Sequence, residues 1–351
     1  LNAELPKLID TMIKTKITPP EVRLKPTSEG QNRENKEKLT HSTRSGLMVS
    51  KAEPLRLVPL GGLEEIGRNM SFLEYKNEIV IIDMGIQFPE EETPGIDFII
   101  PNTAYLEEKK ANIKGLILTH GHFDHIGAIP YLIGKIGNPV IYATGMTKEL
   151  VLKHQNDFPH APKLQIIKVN GGDIVKIGNY FTAEFFGVDH TIPDTAGVIV
   201  KTPIGNIVHF ADFRIDYDAA GEPRDLSDYQ RIGRMGIHTL MIDSTNADEP
   251  GRSLSEKIVE KNLEDLFIKA EGRIIITLFS TLLTRIYEIL KIADRIGRKV
   301  AITGRSMKEN IELAQNLGYI KPAKGLIIPI EELNKYKDNK VMIFTTGSQG
   351  Q

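Results

Sequence analysis

His120-Gly121-His122-Phe123-Asp124-His125 puts potential metal ligands at four of six consecutive positions. The apolar run Gly115-Leu116-Ile117-Leu118-Thr119 leads into it and reads as a buried strand. Ile126-Gly127-Ala128-Ile129-Pro130-Tyr131-Leu132 follows it and reads as the start of a helix. The ligands therefore stand on a strand-to-helix turn, where side chains converge without breaking a hydrogen-bond ladder. Imidazole and carboxylate together suit a cation such as zinc or manganese. The plainer reading is a polar surface loop that happens to be rich in histidine. So dense a cluster usually needs a metal to justify its charge, and the stretch is read as a metal site.

The H-x-H-x-D-H cluster is similar to the signature of the metallo-β-lactamase superfamily, and the remaining positions of that pattern are matched outward from it, each at the end of an apolar run. Asp83 follows Ile79-Val80-Ile81-Ile82, and His190 follows Phe185-Phe186-Gly187-Val188. Asp212 ends Ile207-Val208-His209-Phe210-Ala211, the second arm of a hairpin turned at Pro203-Ile204-Gly205-Asn206. One Asp or His at a strand end is ordinarily a turn residue. Several, grouped around one cluster, describe a sheet scaffold holding ligands rigidly.

Asp83, His190 and Asp212 stand in that pattern's order. Within the superfamily the chain resembles the ribonuclease J family of the β-CASP branch. Pro59-Leu60-Gly61-Gly62-Leu63-Glu64-Glu65-Ile66-Gly67-Arg68-Asn69-Met70, Asp83-Met84-Gly85-Ile86-Gln87-Phe88-Pro89-Glu90 and His190-Thr191-Ile192-Pro193-Asp194 carry the resemblance. So do Asp243-Ser244-Thr245-Asn246-Ala247, Gly304-Arg305-Ser306-Met307 and Thr345-Thr346-Gly347-Ser348-Gln349-Gly350, so that it runs from about Leu55 to the last residue.

The resemblance implies an α/β fold, a metallo-β-lactamase αββα sandwich with an inserted βα-rich β-CASP domain. It implies two divalent ions, zinc by preference with manganese or magnesium as alternatives. His120, His122 and His190 would hold one ion, Asp124 and His125 the other, and Asp212 would bridge them. Asp83 and Asp243 would orient ligands, and Asp124 could also position the nucleophilic water. Gly304, Arg305, Ser306, Thr346, Gly347 and Ser348 would contact RNA. Phe123 departs from the family, which commonly has Glu there, and Phe279–Arg285 keeps only part of a more polar segment. Two further histidines of the family pattern, one near the leaving group and one completing the second metal site, do not occur before Gln351. The chain is therefore expected to be a fragment, with an incomplete sandwich and a second site short of one ligand.

Composition bounds the rest. A chain of 351 residues exceeds one ordinary domain. The absence of Cys excludes disulfides and thiolate metal sites and fits a cytoplasmic protein. A net charge of −2 is not that of a general nucleic-acid binder, though a local basic patch can override the total. No apolar run approaches a membrane span. Residues 1–53 read as a disordered, charged extension. Residues 54–246 read as the metallo-β-lactamase part, with strands around Val58, Ile79–Ile82, Leu116–Leu118, Val140–Tyr142, Leu164–Val169 and Val198–Val200 and helices at Thr147–Gln155 and Leu226–Met235. In 247–351, read as the β-CASP part, helices Ser253–Ala270, Thr281–Ile296 and Met307–Leu317 alternate with strands Arg273–Phe279, Lys299–Thr303 and Val341–Phe344. That alternation implies a parallel sheet with ligands at the carboxyl ends of its strands. His154 is expected on the surface, His160 in a loop, His209 facing away from Asp212, His238 before a buried strand and His41 in the tail, none as a ligand.

The function expected from the resemblance is metal-dependent hydrolysis of RNA, by 5′-to-3′ exonuclease and endonuclease action, in rRNA processing and mRNA decay. RNA is the expected partner, with no membrane and with a homo-oligomer possible for the whole protein. A hydrolase of a small ester or thioester, or a non-catalytic RNA-binding fragment, are the alternatives. The βα-rich segment after Asp243 argues against the first.

Overall fold

The computed structural model describes residues 53–89, 94–217, 223 and 226–346. The expected extension at 1–53 lies outside the described residues except for Glu53, as does His41. β1 (Arg56–Gly61), β2 (Met70–Tyr75) and β3 (Glu78–Ile82) pair antiparallel. After α1 (Ala104–Glu108), β4 (Ile113–Ile117) joins β3 in parallel. The short helices α2 (Phe123–Ile126) and α3 (Ile129–Leu132) come next, then β5 (Ile141–Ala143), α4 (Gly145–Asn156) and β6 (Ile166–Lys168). The six strands form one sheet in the order β1-β2-β3-β4-β5-β6.

A second sheet follows from β7 (Ile174–Ile177), β8 (Phe181–Gly187), β9 (Ala196–Lys201), β10 (Asn206–His209), α5 (Ser227–Gly233) and β11 (Ile237–Met241). Its order is β11-β10-β9-β8-β7, antiparallel except that β11 runs parallel to β10. The expected hairpin is there, with Asn206 opposite Lys201.

β3 shows why the layers stack as they do. Its side chains alternate between two faces, and every residue is buried. Ile79 and Ile81 join the helix-side core with Leu116, Ile129 and Met146. Val80 and Ile82 join the core between the sheets with Phe181, Phe185, Val198 and Val200. On the far face of the second sheet, Phe210 packs edge-on against Phe186 and against Tyr229 of α5. The order is helix, sheet, sheet, helix, as the sequence led us to expect.

The last part alternates α6 (Glu256–Lys269), β12 (Ile274–Thr277), α7 (Leu283–Arg295), β13 (Lys299–Ile302), α8 (Arg305–Asn316), β14 (Ile327–Ile328) and β15 (Val341–Thr345). Its strands form an all-parallel sheet in the order β12-β15-β13-β14. Ser255 Oγ accepts from Ile258 N–H and caps α6. Leu283, Ile286, Ile289, Leu290 and Ala293 give α7 a buried stripe at helical spacing. The buried Arg298 donates to the carbonyls of Phe267, Ala270, Gly272 and Val341, ending α6 and tying it to β15.

Two local expectations need correction. Residues 126–132 are two separate helical turns broken at Gly127-Ala128, because Ala128 N–H reaches across to Met84 O. The strand after His238 is a half-buried strand at the edge of the sheet, and His238 lies within it, exposed. β2 and β7 carry no regular alternation of type and were not foreseen.

Candidate metal centre

Three backbone segments interlock to build the site. Asn69 N–H donates to Asp124 O, Met84 N–H to His125 O, Gly85 N–H to Asn69 O and Ile86 N–H to Phe123 O. The segment after β3 therefore lies directly under the His-rich turn. A Cβ on Gly85 would stand 1.5 Å from Asp124 O, so only glycine allows this approach. Asp83 and Ala211 both take positive φ, 58° in each case, as β3 and β10 turn toward the centre. Such conformations cost about 1–3 kcal/mol each and cluster at functional sites.

The structure brings His120, His122, His190 and Asp212 together as one potential ligand set, and Asp124, His125 and Asp212 as another. In the first, His122 Nδ1 lies 3.0 Å from His120 Nε2 and 3.2 Å from His190 Nε2. Asp212 Oδ2 is 3.7 Å from the Nε2 of both His120 and His190. A tetrahedral zinc with bonds near 2.0–2.1 Å needs donor separations of about 3.3 Å, and the observed values bracket that length. In the second set His125 Nε2 lies 3.2 Å from Asp212 Oδ1 and 3.5 Å from Asp124 Oδ2. Asp212 thus offers one oxygen to each set. The donor geometry fits a divalent ion at both.

Behind the ligands is a buried relay. Thr119 N–H and Oγ1–H donate to Asp83, each at 2.8 Å, and His125 Nδ1 lies 2.8 Å from Asp83 Oδ2. A carboxylate only accepts, so His125 carries its proton on Nδ1 and turns Nε2 to the centre. Thr119 gives its own proton to Asp83, leaving lone pairs for His120 Nδ1–H at 3.1 Å. Asp83 therefore sets both tautomers. Asn69 Nδ2 donates to Asp124 Oδ2 at 3.3 Å and lies 3.1 Å from His125 Nε2.

The electrostatics separate the two sets. Burial and the neighbouring histidines push His120 well below the ordinary value, and burial with His190 takes His122 to about 4. His190 is also lowered by burial, so this set offers neutral imidazoles at pH 7. Burial opposes charge on His125, but Asp83, Asp124 and Asp212 together raise it well above the ordinary value. Burial raises Asp212, yet the hydrogen bond and charge of His125 with the other histidines hold it at about 2.

The remaining candidates divide. Asp83 touches a ligand, whereas Asp243 Oδ1 accepts from Thr245 N–H and Oγ1–H within its own turn, and its charge reaches His190. Gly304 caps α8 with φ 85°, and a Cβ there would lie 3.1 Å from Thr346 Oγ1, so those two turns meet at the carboxyl ends of β13 and β15. Arg305 is largely exposed and pairs with Glu309 at 2.8 Å, with Asp157 at 3.8 Å, and Ser306 is within α8. Gly347 and Ser348 lie outside the described residues.

One of the other histidines, His154, is placed differently from expectation, while His209 is in neither ligand set. His154 is half-buried, its Nε2 3.1 Å from Gly127 O and its ring between Phe123 and Phe158. His209 accepts from Ala211 N–H through Nδ1 and lies close enough for its charge to act on His120. Thr119 and Asn69 were missed as functional residues. Thr119 stands immediately before the cluster and Asn69 within a segment already singled out, but neither residue type signals a metal.

The βα segment fastens to this end of the sandwich. Arg214, two residues after Asp212, pairs with Glu256 of α6, and Glu256 also pairs with Arg285 of α7 at 2.7 Å. Glu256 N–H donates to Asp216 Oδ1 at 3.0 Å.

Comparison with known proteins agrees with this anatomy. Residues 64–214 match the metallo-beta-lactamase superfamily, and residues 271–351 match the ribonuclease J beta-CASP domain. Ribonuclease J of Mycoplasma pneumoniae is 39% identical over 298 residues, covering 85% of this chain and 52% of that protein. Ribonuclease J of Thermus thermophilus is 36% identical over 329 residues, 92% of this chain and 57% of that one. The chain spans about half the length of the curated relatives it matches. A solved Enterococcus faecalis V583 protein described as of unknown function shares the fold, with TM-score 0.60 and 18% identity over 84% of this chain and 77% of that one.

Proposed function

We propose that this chain, whose residues 64–214 match the metallo-beta-lactamase superfamily and residues 271–351 the ribonuclease J beta-CASP domain, forms the metal-binding part of an RNA-hydrolysing enzyme. The observation that carries the reading is a pair of ligand sets sharing Asp212 beside a βα segment with loops at its strand ends. The substrate is RNA and the reaction is phosphodiester hydrolysis, with 5′-to-3′ exonuclease and endonuclease action in RNA processing and decay. Residues 54–246 serve as the metal domain and 247–351 as the β-CASP domain. The setting is the cytoplasm, and no described helix is long and apolar enough to cross a membrane.

His120, His122, His190 and Asp212 would hold one ion, and Asp124, His125 and Asp212 the other, zinc being the ion the first donor set suits best. When bound, such ions acidify water and neutralise charge on a phosphoryl group. The chain's own contribution is orientation. Asp83 fixes two imidazoles and Asn69 holds the Asp124 carboxylate, which would accept a proton from an attacking water. The loops at Gly304-Arg305-Ser306 and Thr346-Gly347-Ser348 would track RNA phosphates.

The test offers 5′-monophosphorylated single-stranded RNA, a thioester and a β-lactam to the purified chain with Zn2+ or Mn2+ in excess, alongside His122→Ala. Metal-dependent cleavage of RNA that His122→Ala loses supports the reading. Turnover of the thioester or lactam with RNA intact overturns it. RNA bound but uncut at every metal concentration favours a non-catalytic RNA-binding fragment, a reading supported by the second set offering three protein donors among the described residues.

A further inference from the structure

His190 differs from the other histidine ligands in how it is held. His120, His122 and His125 sit on the interlocked turn, whereas His190 sits on a loop that leaves β8 and returns at β9. On its far side this loop borders a cleft of about 470 Å3 lined by Thr144, Gly171, Gly187, Asp189 and Asp194. Ile192, buried, anchors its middle, and Thr195 Oγ1 donates to Ile192 O. Within the metal domain the loop is also tied by Val188 N–H to Thr195 O at 3.1 Å, Ala196 N–H to Thr119 O at 3.0 Å and Arg214 N–H to Asp189 O at 2.9 Å, and two further ties come from the βα segment. Tyr319, just past α8, donates its hydroxyl to Asp194 Oδ2 at 2.7 Å, and Thr284 N–H at the start of α7 reaches Thr191 O at 3.4 Å. Asp194 is held at φ 68°, a conformation that a non-glycine residue keeps only when its surroundings impose it. Met146 N–H also donates to Asp194 Oδ2, over the longer distance of 3.4 Å.

We propose that Tyr319 is a positioning residue for the metal centre, holding His190 in place through Asp194, so that the βα segment controls how well the first ion is bound. The phenol acts across a span of sequence that the metal domain does not contain. A displacement of the βα segment would therefore reach the ligand set through this hydrogen bond, with no contact to the ion itself. The inference rests on His190 being a ligand and is independent of what the centre acts on.

The test is zinc affinity of the chain, by competition with a chromophoric chelator, together with the visible spectrum after Co2+ loading. Tyr319→Phe is expected to weaken the tighter zinc by about tenfold, the lower end of the effect of removing a ligand's supporting partner. Its Co2+ spectrum should lose intensity in the tetrahedral band, while metal-free Tyr319→Phe unfolds at the parent's temperature. Asp194→Ala should match Tyr319→Phe, and the double variant should be no worse than either single. Asp194→Asn keeps an acceptor for the phenol and should retain most of the affinity. Zinc affinity and Co2+ spectrum in Tyr319→Phe identical to the parent would overturn the proposal, as would additive losses in the double variant. A parent chain that binds no zinc would instead overturn the metal assignment under the proposed function.

Discussion

Asp83 Oδ2 receives the Nδ1–H of His125 at 2.8 Å, with both side chains buried. The same carboxylate takes both donors of Thr119, and through Thr119 it also orients His120. One residue outside both ligand sets thus decides which nitrogen two of the histidines present.

Asp83→Asn tests that role. An amide accepts on one atom only, so at least one buried donor loses its partner. The stability cost is about 1–3 kcal/mol, and metal affinity should fall about 10- to 100-fold. Thermal unfolding with chelator and zinc competition measure the two effects separately. Unchanged zinc affinity would remove Asp83 from the relay.

His122→Ala should lose the tighter ion and any hydrolysis while leaving secondary structure and RNA retention near the parent's. His122 Nδ1 is within 3.2 Å of both other imidazoles of its set, so no neighbour can take its place without moving. Metal content and circular dichroism check this. Full zinc content in the variant would mean that the cluster is structural.

Metal binding should displace a proton at one set and none at the other. His120, His122 and His190 are lowered and already neutral at pH 7, whereas His125 is raised and charged until an ion takes its Nε2. Affinity at the Asp124-His125-Asp212 set should therefore fall about tenfold per unit as pH drops below the raised His125 value. The other set should stay level from pH 8 to 7, and His122 itself resists protonation down to about 4. Calorimetry in buffers of different ionisation enthalpy reads the proton count. Equal proton release at both sets would contradict it. The four-donor set should also be the tighter of the two.

Gly85→Ala should disrupt the centre from beneath. The added methyl would fall on the Asp124 carbonyl, a backbone atom that cannot rotate away. Overpacking of this kind costs about 1–3 kcal/mol or more, and here the displaced segment carries Asp124 and His125. Lower thermal stability with a weakened second ion is the expected result, and an unaffected variant would show that the three segments slide freely.

The sequence made the ligands legible because each stands at the end of an apolar run, where period and residue type change together. Asp83, His190 and Asp212 were found by their order in the metallo-β-lactamase pattern, and the βα alternation from α6 onward was read from the periodicity. Residues whose type is common everywhere stayed hidden. Thr119 reads as the last residue of a strand, and its role depends on Asp83, which is 36 positions away and reaches it only through the parallel pairing of β3 and β4. His154 looked like a surface residue because its helix is charged, but the aromatic rings that enclose it come from the metal turn and from Phe158 beyond the helix.

β11 runs in the same direction as β10, which has a mechanical consequence. The chain leaves the sandwich at the rim that carries Asp212, and the Arg214–Glu256–Arg285 ion pairs bolt the departing segment to that rim. The anchor of the βα segment is therefore two residues from a candidate ligand. A shift of that segment would act beside Asp212 and not at the far end of the sandwich. Had β11 been antiparallel, the chain would have left at the opposite rim.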